Sequence, residues 1–261
     1  EPPTLYHGVH AMLSPQARHY LRDYKFDIQP AHDDRPYFGH YFRWRSLPEL
    51  LRLRGQGSAV LLDSGYLLLV AALLQAIPLA LLLVLLPLRV LPVPASDAAA
   101  GFTRPRAGLY FLALGLAFLL VEIATLARLT PIVGHPLIAA NIGLACVLFF
   151  AGLGSLQAQR WLSRGGVDDD AIARRVAWSV RAIAFALLWQ WMVFEFVHAF
   201  APGWPLPARA VLGLLGVAPL AFAMGMPFPL GMARLARSAP AFVPWAWGLN
   251  GCASVIAAIL A

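Results

Sequence analysis

The chain has 261 residues, of which 60% are hydrophobic and only 13% charged, with a formal net charge of +7 and a mean hydropathy of +0.68. Soluble domains have roughly 45–50% apolar and about a quarter charged residues, so too little polar surface is present to cover a water-soluble globule. Disorder, collagen and coiled coil are excluded too, because the excess is Leu, Ala, Val and Phe in long runs. An all-α integral membrane protein remains.

The positive charge does not point to nucleic acid. Lys25 is the single lysine, and the arginines stand beside apolar runs rather than in one patch, which is the distribution of membrane-flanking charge. Cys146 and Cys252 both lie inside apolar runs, where they read as small packing residues and not as a disulfide framework. The sequence opens at Glu1 without a basic-then-apolar leader and stops at Ala261 within an apolar run. Both ends are therefore expected to be cuts from something longer.

Residues 1–63 are the soluble-looking part. Ser14 is expected to cap a short helix with Pro15 at its first position. Phe26–Pro30 reads as a brief extended piece, Leu47–Leu53 as a second short helix, and Gly55-Gln56-Gly57-Ser58 as a hinge. A segment of this size cannot build its own core and is expected to be the tail of an upstream domain. From residue 64 onward, apolar runs alternate with short polar connections. A helix needs roughly 20 residues to cross the hydrocarbon, and Gly65–Leu88, Ala107–Leu126, Pro136–Leu156, Ala182–Phe200, Ala210–Met232 and Val243 to the chain end qualify. The expected architecture is thus a polytopic bundle of about six transmembrane helices over residues 64–261, truncated at its C-terminal end. Trp161, Trp178, Trp189, Trp191, Trp204, Trp245 and Trp247 fall near run ends, where an interfacial belt places them.

Orientation is contested. Alternation puts Arg45, Arg52, Arg54, Arg128 and Arg209 on the side of residues 1–63, and Arg89, Arg104, Arg106, Arg160, Arg164, Arg174, Arg175, Arg234 and Arg237 on the other. The positive-inside rule prefers the second set inside, unless one run, with proline-rich Ala210–Met232 the suspect, fails to span.

Several constellations could carry chemistry. His32, Asp33, Asp34 and His40, with His7 and His10 in reserve, hold Zn²⁺- or Mn²⁺-type donors, but their spacing matches no metal motif. The favoured reading is a turn in which the acids bind local N–H groups and Arg35 pairs with a carboxylate. Glu122 sits deep in the second span, where a carboxylate is costly enough to be a functional suspect. Arg128, six residues on, lies off its face, so an inter-helix partner, a polar backbone gap or an Asn141 contact is an equal candidate, with Pro131 and Gly134 breaking the helix beyond. Structural polar glue is the favoured role, and a substrate or proton site the alternative. Glu195 and His198 share a helix face and could relay a proton, although the Pro202-Gly203-Trp204 end makes snorkelling to the interface the simpler reading.

The Met224–Met232 stretch, with Gly225, Pro227, Pro229 and Gly231, predicts an interrupted helix of the kind that lines transporter sites. Its three methionines without Cys or His argue for packing over copper. Small pairs one turn apart, Ala139/Gly143, Ala151/Ser155, Ala221/Gly225 and Gly248/Cys252, predict close helix contacts, with Asn250 offering an inter-helix hydrogen bond. No dinucleotide fingerprint, P-loop or nucleophile–base arrangement is present.

Taken in order, Asp33-Asp34-Arg35-Pro36-Tyr37-Phe38 with His40, Phe42, Arg43 and Trp44; Glu122-Ile123 with Arg128; Gly134-His135-Pro136; Gly152-Leu153-Gly154-Ser155; Gly225-Met226-Pro227-Phe228-Pro229-Leu230-Gly231; and Trp245-Ala246-Trp247-Gly248-Leu249-Asn250-Gly251 resemble bacterial multi-span membrane proteins of the spermine/spermidine synthase-like type. The likeness covers roughly residues 23–261, departing at His32, where Thr is expected, and at Gly39, where an aromatic is expected. It implies a bacterial inner-membrane location and an upstream Rossmann-like aminopropyltransferase or methyltransferase-like domain, which would hold any S-adenosylmethionine-type cofactor and the catalytic residues. For this chain it implies no catalytic, cofactor or metal residue. The partners it implies are the lipid bilayer, the upstream domain and, optionally, a second copy. The rival expectation is half of a secondary transporter, with Glu122 and the broken helix as a midplane site. A third is a purely structural or partner-binding membrane module.

Overall fold

A computed structural model describes residues 3–15, 17–24, 26–29, 41–48, 64–89, 103–164 and 168–261. The chain forms two units, Glu1–Leu74 and Gln75–Ala261.

In the first unit, α1 (Pro3–Leu13) precedes α2 (Ala17–Asp23). The Ser14 hydroxyl donates backward to the Ala11 carbonyl at 2.8 Å, and its backbone carbonyl accepts the Ala17 N–H at the start of α2. The residue closes the helix before it, one the sequence reading did not anticipate. The free carbonyls at the end of α2 are met from downstream: Arg43 donates to Leu21, Arg22 and Tyr24, and its guanidinium lies 3.2 Å from Asp27. Arg45 donates to the same Arg22 and Tyr24 carbonyls. The carbonyl ends of a helix favour cations and need donors. Phe26–Gln29 is extended, and Asp27 N–H donates to the Tyr41 carbonyl. Trp44–Ser46 forms a 3₁₀ turn, and Phe42, nearly buried, packs edge-on against Trp44 and beside Tyr66. Leu47 and Pro48 are helical; the rest of the Leu47–Leu53 helix and the Gly55–Ser58 hinge lie outside the described residues.

The helix α3 (Ser64–Leu88) leads into the second unit, where α4 (Arg104–Val133), α5 (Pro136–Ser163), α6 (Asp169–Phe200), α7 (Leu206–Met224), α8 (Pro227–Ser238) and α9 (Val243–Leu260) follow. With α7 and α8 counted together, six helical stretches are long and apolar enough to cross a membrane. The chain is a polytopic α-helical bundle, and no strand occurs among the described residues. Ala210–Met232 is no exception: the stretch Leu206–Ser238 qualifies as a span despite its prolines.

Helix ends differ from expectation where backbone chemistry allows. Pro131 does not break α4. The carbonyl it leaves unbonded belongs to Ala127, on an exposed face, and the helix runs on to Val133. Gly134 ends it, in the left-handed region at φ 77° with its N–H on the Thr130 carbonyl, the conformation that favours glycine. At the start of α6, the Asp168 carboxylate accepts the Ala171 N–H at 2.7 Å, a side-chain cap.

Packing centres on α7, which touches α4, α5 and α6, while α4 packs most extensively on α9. Half of the best spanning window of α7–α8 is buried, but none of that of α3. The seams run over glycine. A Cβ on Gly154 would strike the Phe222 carbonyl, one on Gly225 the Ala151 carbonyl, and one on Gly115 the Asn250 carbonyl. Backbones that approach this closely gain dispersion contacts where the hydrophobic effect offers none. Of the expected small pairs, Ala221/Gly225 lies on such a seam, while Gly143 of the Ala139/Gly143 pair faces the Leu126 and Leu129 side chains. On the facing side of the Gly225 seam Ala151 is accompanied by Gly154 rather than Ser155, and Gly248 faces open space.

Candidate functional site

The inward stripe of α4 contains Glu122, Thr125, Leu129 and Ile132, spaced three and four residues apart so that they share a face. Glu122 is 7% exposed and Thr125 5%. From α6, Gln190 (6% exposed) reaches across and its Nε2 donates to Thr125 Oγ1 at 3.1 Å. The Thr125–Gln190 bond joins two elements 65 residues apart in sequence. Glu122, one turn below Thr125, has no ion pair or hydrogen bond among the described residues. Its neighbours on α4, Phe118 and Val121, pack against Ala186, Leu220 and Met224. A carboxyl, a hydroxyl and an amide thus stand in line within an apolar bundle. A carboxyl in such surroundings is a functional suspect, as polar glue between helices or as part of a solute site.

At 1.5 Å per residue, Glu122 lies only about 5 Å from the middle of α4, while Arg128 lies about 14 Å from it. Arg128 is therefore at the edge of a hydrocarbon slab about 30 Å thick. There it pairs with Glu195 of α6 at 3.2 Å, each side chain 53% exposed. This answers the question left by the helical geometry: Arg128 serves Glu195 and not Glu122. Glu195 and His198 do not form a relay pair either. His198 Nδ1 is 2.7 Å from the Phe194 carbonyl of its own helix, and Glu195 is turned to Arg128. In the first turn of α7, Arg209 Nε is buried with no hydrogen-bond partner among the described residues.

Asn141 is exposed on α5, and no hydrogen bond joins it to Glu122 among the described residues. Asn250 does not provide the inter-helix bond expected of its side chain. Ser254 provides it, donating to the Gly115 carbonyl at 3.2 Å and to the Asn250 carbonyl at 3.0 Å. Asp33, Asp34, Arg35 and His40 lie outside the described residues, as does His32.

The helix interruption falls at Gly225-Met226, between α7 and α8. Pro227 and Pro229 cannot donate to the carbonyls behind them. Gly225 and Met226 N–H groups close the end of α7 on Ala221 and Ala223. Tyr110 of α4 donates its hydroxyl to the Pro227 carbonyl at 2.7 Å, and its ring fills the space above Gly231. Met226 and Pro227 are buried. The break is a packed joint, with no group of metal-binding residues at it or elsewhere among the described residues.

Sequence reasoning missed Thr125, Gln190 and Tyr110. A buried Thr three residues after Glu122, and a Gln within an aromatic-rich apolar run, were the available signals for the first two. No family model matches the chain, and neither a curated protein nor a solved structure is significantly similar to it. The fold and the site therefore define a class, the multi-pass α-helical membrane proteins, and the particular activity is a matter for proposal.

Proposed function

We propose that the chain is the membrane-integral region of a bacterial spermidine synthase-like protein, residing in the inner membrane and anchoring an upstream Rossmann-like transferase domain, with no self-contained catalysis of its own. The observation that carries this reading is where the resembling residues fall. Gly134 is a helix terminator, Gly154 and Gly225 are backbone contacts, Gly231 accommodates Tyr110, and Trp245 donates to the Val84 carbonyl at 2.9 Å. Residues with these tasks specify a scaffold, which suits an anchor whose chemistry resides in another domain. Any S-adenosylmethionine-type cofactor would belong to that domain.

The reading requires the segment before α3 to be cytoplasmic, whereas the arginine distribution prefers the opposite. Reporter fusions in the 90–102 and 165–167 connections decide it. Anchoring of a cytosolic transferase expects both connections on the periplasmic side. Both inside overturns it.

The unpartnered Glu122 favours a second reading, transport of a proton or cationic solute through a midplane site. Glu122→Gln abolishing uptake at unchanged expression would carry that reading; unchanged uptake with altered thermal stability would leave Glu122 as polar glue between helices.

A further inference from the structure

The geometry points to a binding site for the phosphate of an anionic glycerophospholipid at the α5–α6 hairpin, formed by Trp161, Arg174, Arg175 and Trp178. The inference is independent of the transferase-anchor reading. These residues and Ala171 line an open pocket of about 450 Å³, within the size range of small-ligand sites.

The pocket is built around a guanidinium fixed in place. Arg175 Nη1 donates to the Trp161 carbonyl at 2.7 Å, and its Cζ lies 5.8 Å from the centre of the Trp161 ring. Trp178 meets Trp161 edge to face at 5.6 Å. A snorkelling arginine would extend freely into water; Arg175 is instead folded over an indole and half-buried. Beside it, Arg174 is exposed and has no ion pair among the described residues, although Asp170 stands one turn before it. The two neighbouring acids are otherwise engaged: Asp168 caps α6, and Asp169 accepts from Arg234 Nε at 2.8 Å. One positioned and one free guanidinium therefore face the same opening, the arrangement that recognises phosphate oxygens.

Depth identifies the source of the phosphate. Counted along α6 (Asp169–Phe200) at 1.5 Å per residue, Trp178 lies about 10 Å from the helix centre, Arg174 about 16 Å and Ala171 about 20 Å. The hydrocarbon ends about 15 Å from the bilayer centre and the headgroup region at about 20–22 Å. The guanidinium groups thus sit at headgroup depth, with the exposed Trp178 ring at the level of the upper acyl chains. A free phosphate would use the arginines alone; a phospholipid uses both levels.

Native mass spectrometry of the purified chain, titrated with phosphatidylglycerol or phosphatidylcholine, tests this. Phosphatidylglycerol is expected to bind in preference to phosphatidylcholine and to resist competition by millimolar inorganic phosphate. Arg174→Gln should weaken it by about fivefold, the worth of one arginine near a charged surface. Arg160→Gln, an exposed arginine of the same end but outside the pocket, should leave it unchanged, and the thermal unfolding of both variants should match the parent chain. Equal retention of the two lipids, equal losses from the two variants, or displacement by inorganic phosphate would each overturn the proposal.

Discussion

Gly154 and Gly225 stand where two helices touch backbone to backbone, and Gly248 and Gly251 stand where nothing approaches. One residue type thus has opposite tolerances in one chain. Gly225→Ala forces its methyl into the Ala151 carbonyl and should cost about 1–3 kcal/mol, whereas Gly248→Ala should be neutral or slightly stabilising, since alanine is the better helix former. Thermal unfolding in detergent separates the two outcomes. Thr125→Val and Gln190→Leu each remove one end of the same buried bond. Each should destabilise by roughly 0.5–2 kcal/mol, with the double variant less harmful than the sum, because a dipole left alone in an apolar bundle is worse than none. The inward placing of Glu122 was legible because a carboxyl inside an apolar run stands out. Gln190 was not, because its meaning depends on which helix faces it, and periodicity says nothing of that. Asn250 misled for the same reason: its position between glycines marked a close contact correctly, but the side chain that bridges it belongs to Ser254.

At the scale of elements, the α7–α8 joint shows how a membrane helix is interrupted without leaving carbonyls stranded. Prolines delete donors, the terminal N–H groups of α7 turn back on it, and a phenol from another helix binds the Pro227 carbonyl. Tyr110→Phe should therefore loosen the joint, lowering stability by about 0.6–1.7 kcal/mol and speeding hydrogen exchange in α8 while leaving α5 and α6 protected. Mass-resolved hydrogen exchange is the direct measurement. The break itself was readable from two prolines and two glycines close together. Its support was not, since Tyr110 lies 117 residues earlier. Pro131 is the instructive counterpart: a proline read as a terminator stays inside α4, because the carbonyl it leaves unbonded is on an exposed face near the helix end and the left-handed turn at Gly134 does the terminating.

Across the whole molecule, the number of spans followed from run length alone; among the described residues the structure has the same six, the middle four longer than their apolar runs. Which helices are central did not follow, because lipid-facing and helix-facing leucines are identical in composition. The first span is the clearest case: it carries no charged residue and Gln75 alone interrupts its apolar middle, yet no described residue of it is buried. Its ties to the rest of the second unit include the packing of Val84 and Leu88 and the Trp245 bond to the Val84 carbonyl, in a turn that Pro87 interrupts. Trp245→Phe should accordingly release α3 while sparing the α4–α9 packing, seen as slower disulfide cross-linking between cysteines introduced on α3 and α9 with little change in the unfolding temperature. The tie has a consequence for biosynthesis. Trp245 is synthesised 161 residues after Val84, so α3 must enter and remain in the bilayer long before its partner exists. At about 5–20 residues per second, that interval is on the order of ten seconds, during which only partition into lipid holds the helix in place. The absence of any charged residue between Ser64 and Leu88 is what a helix needs to wait alone.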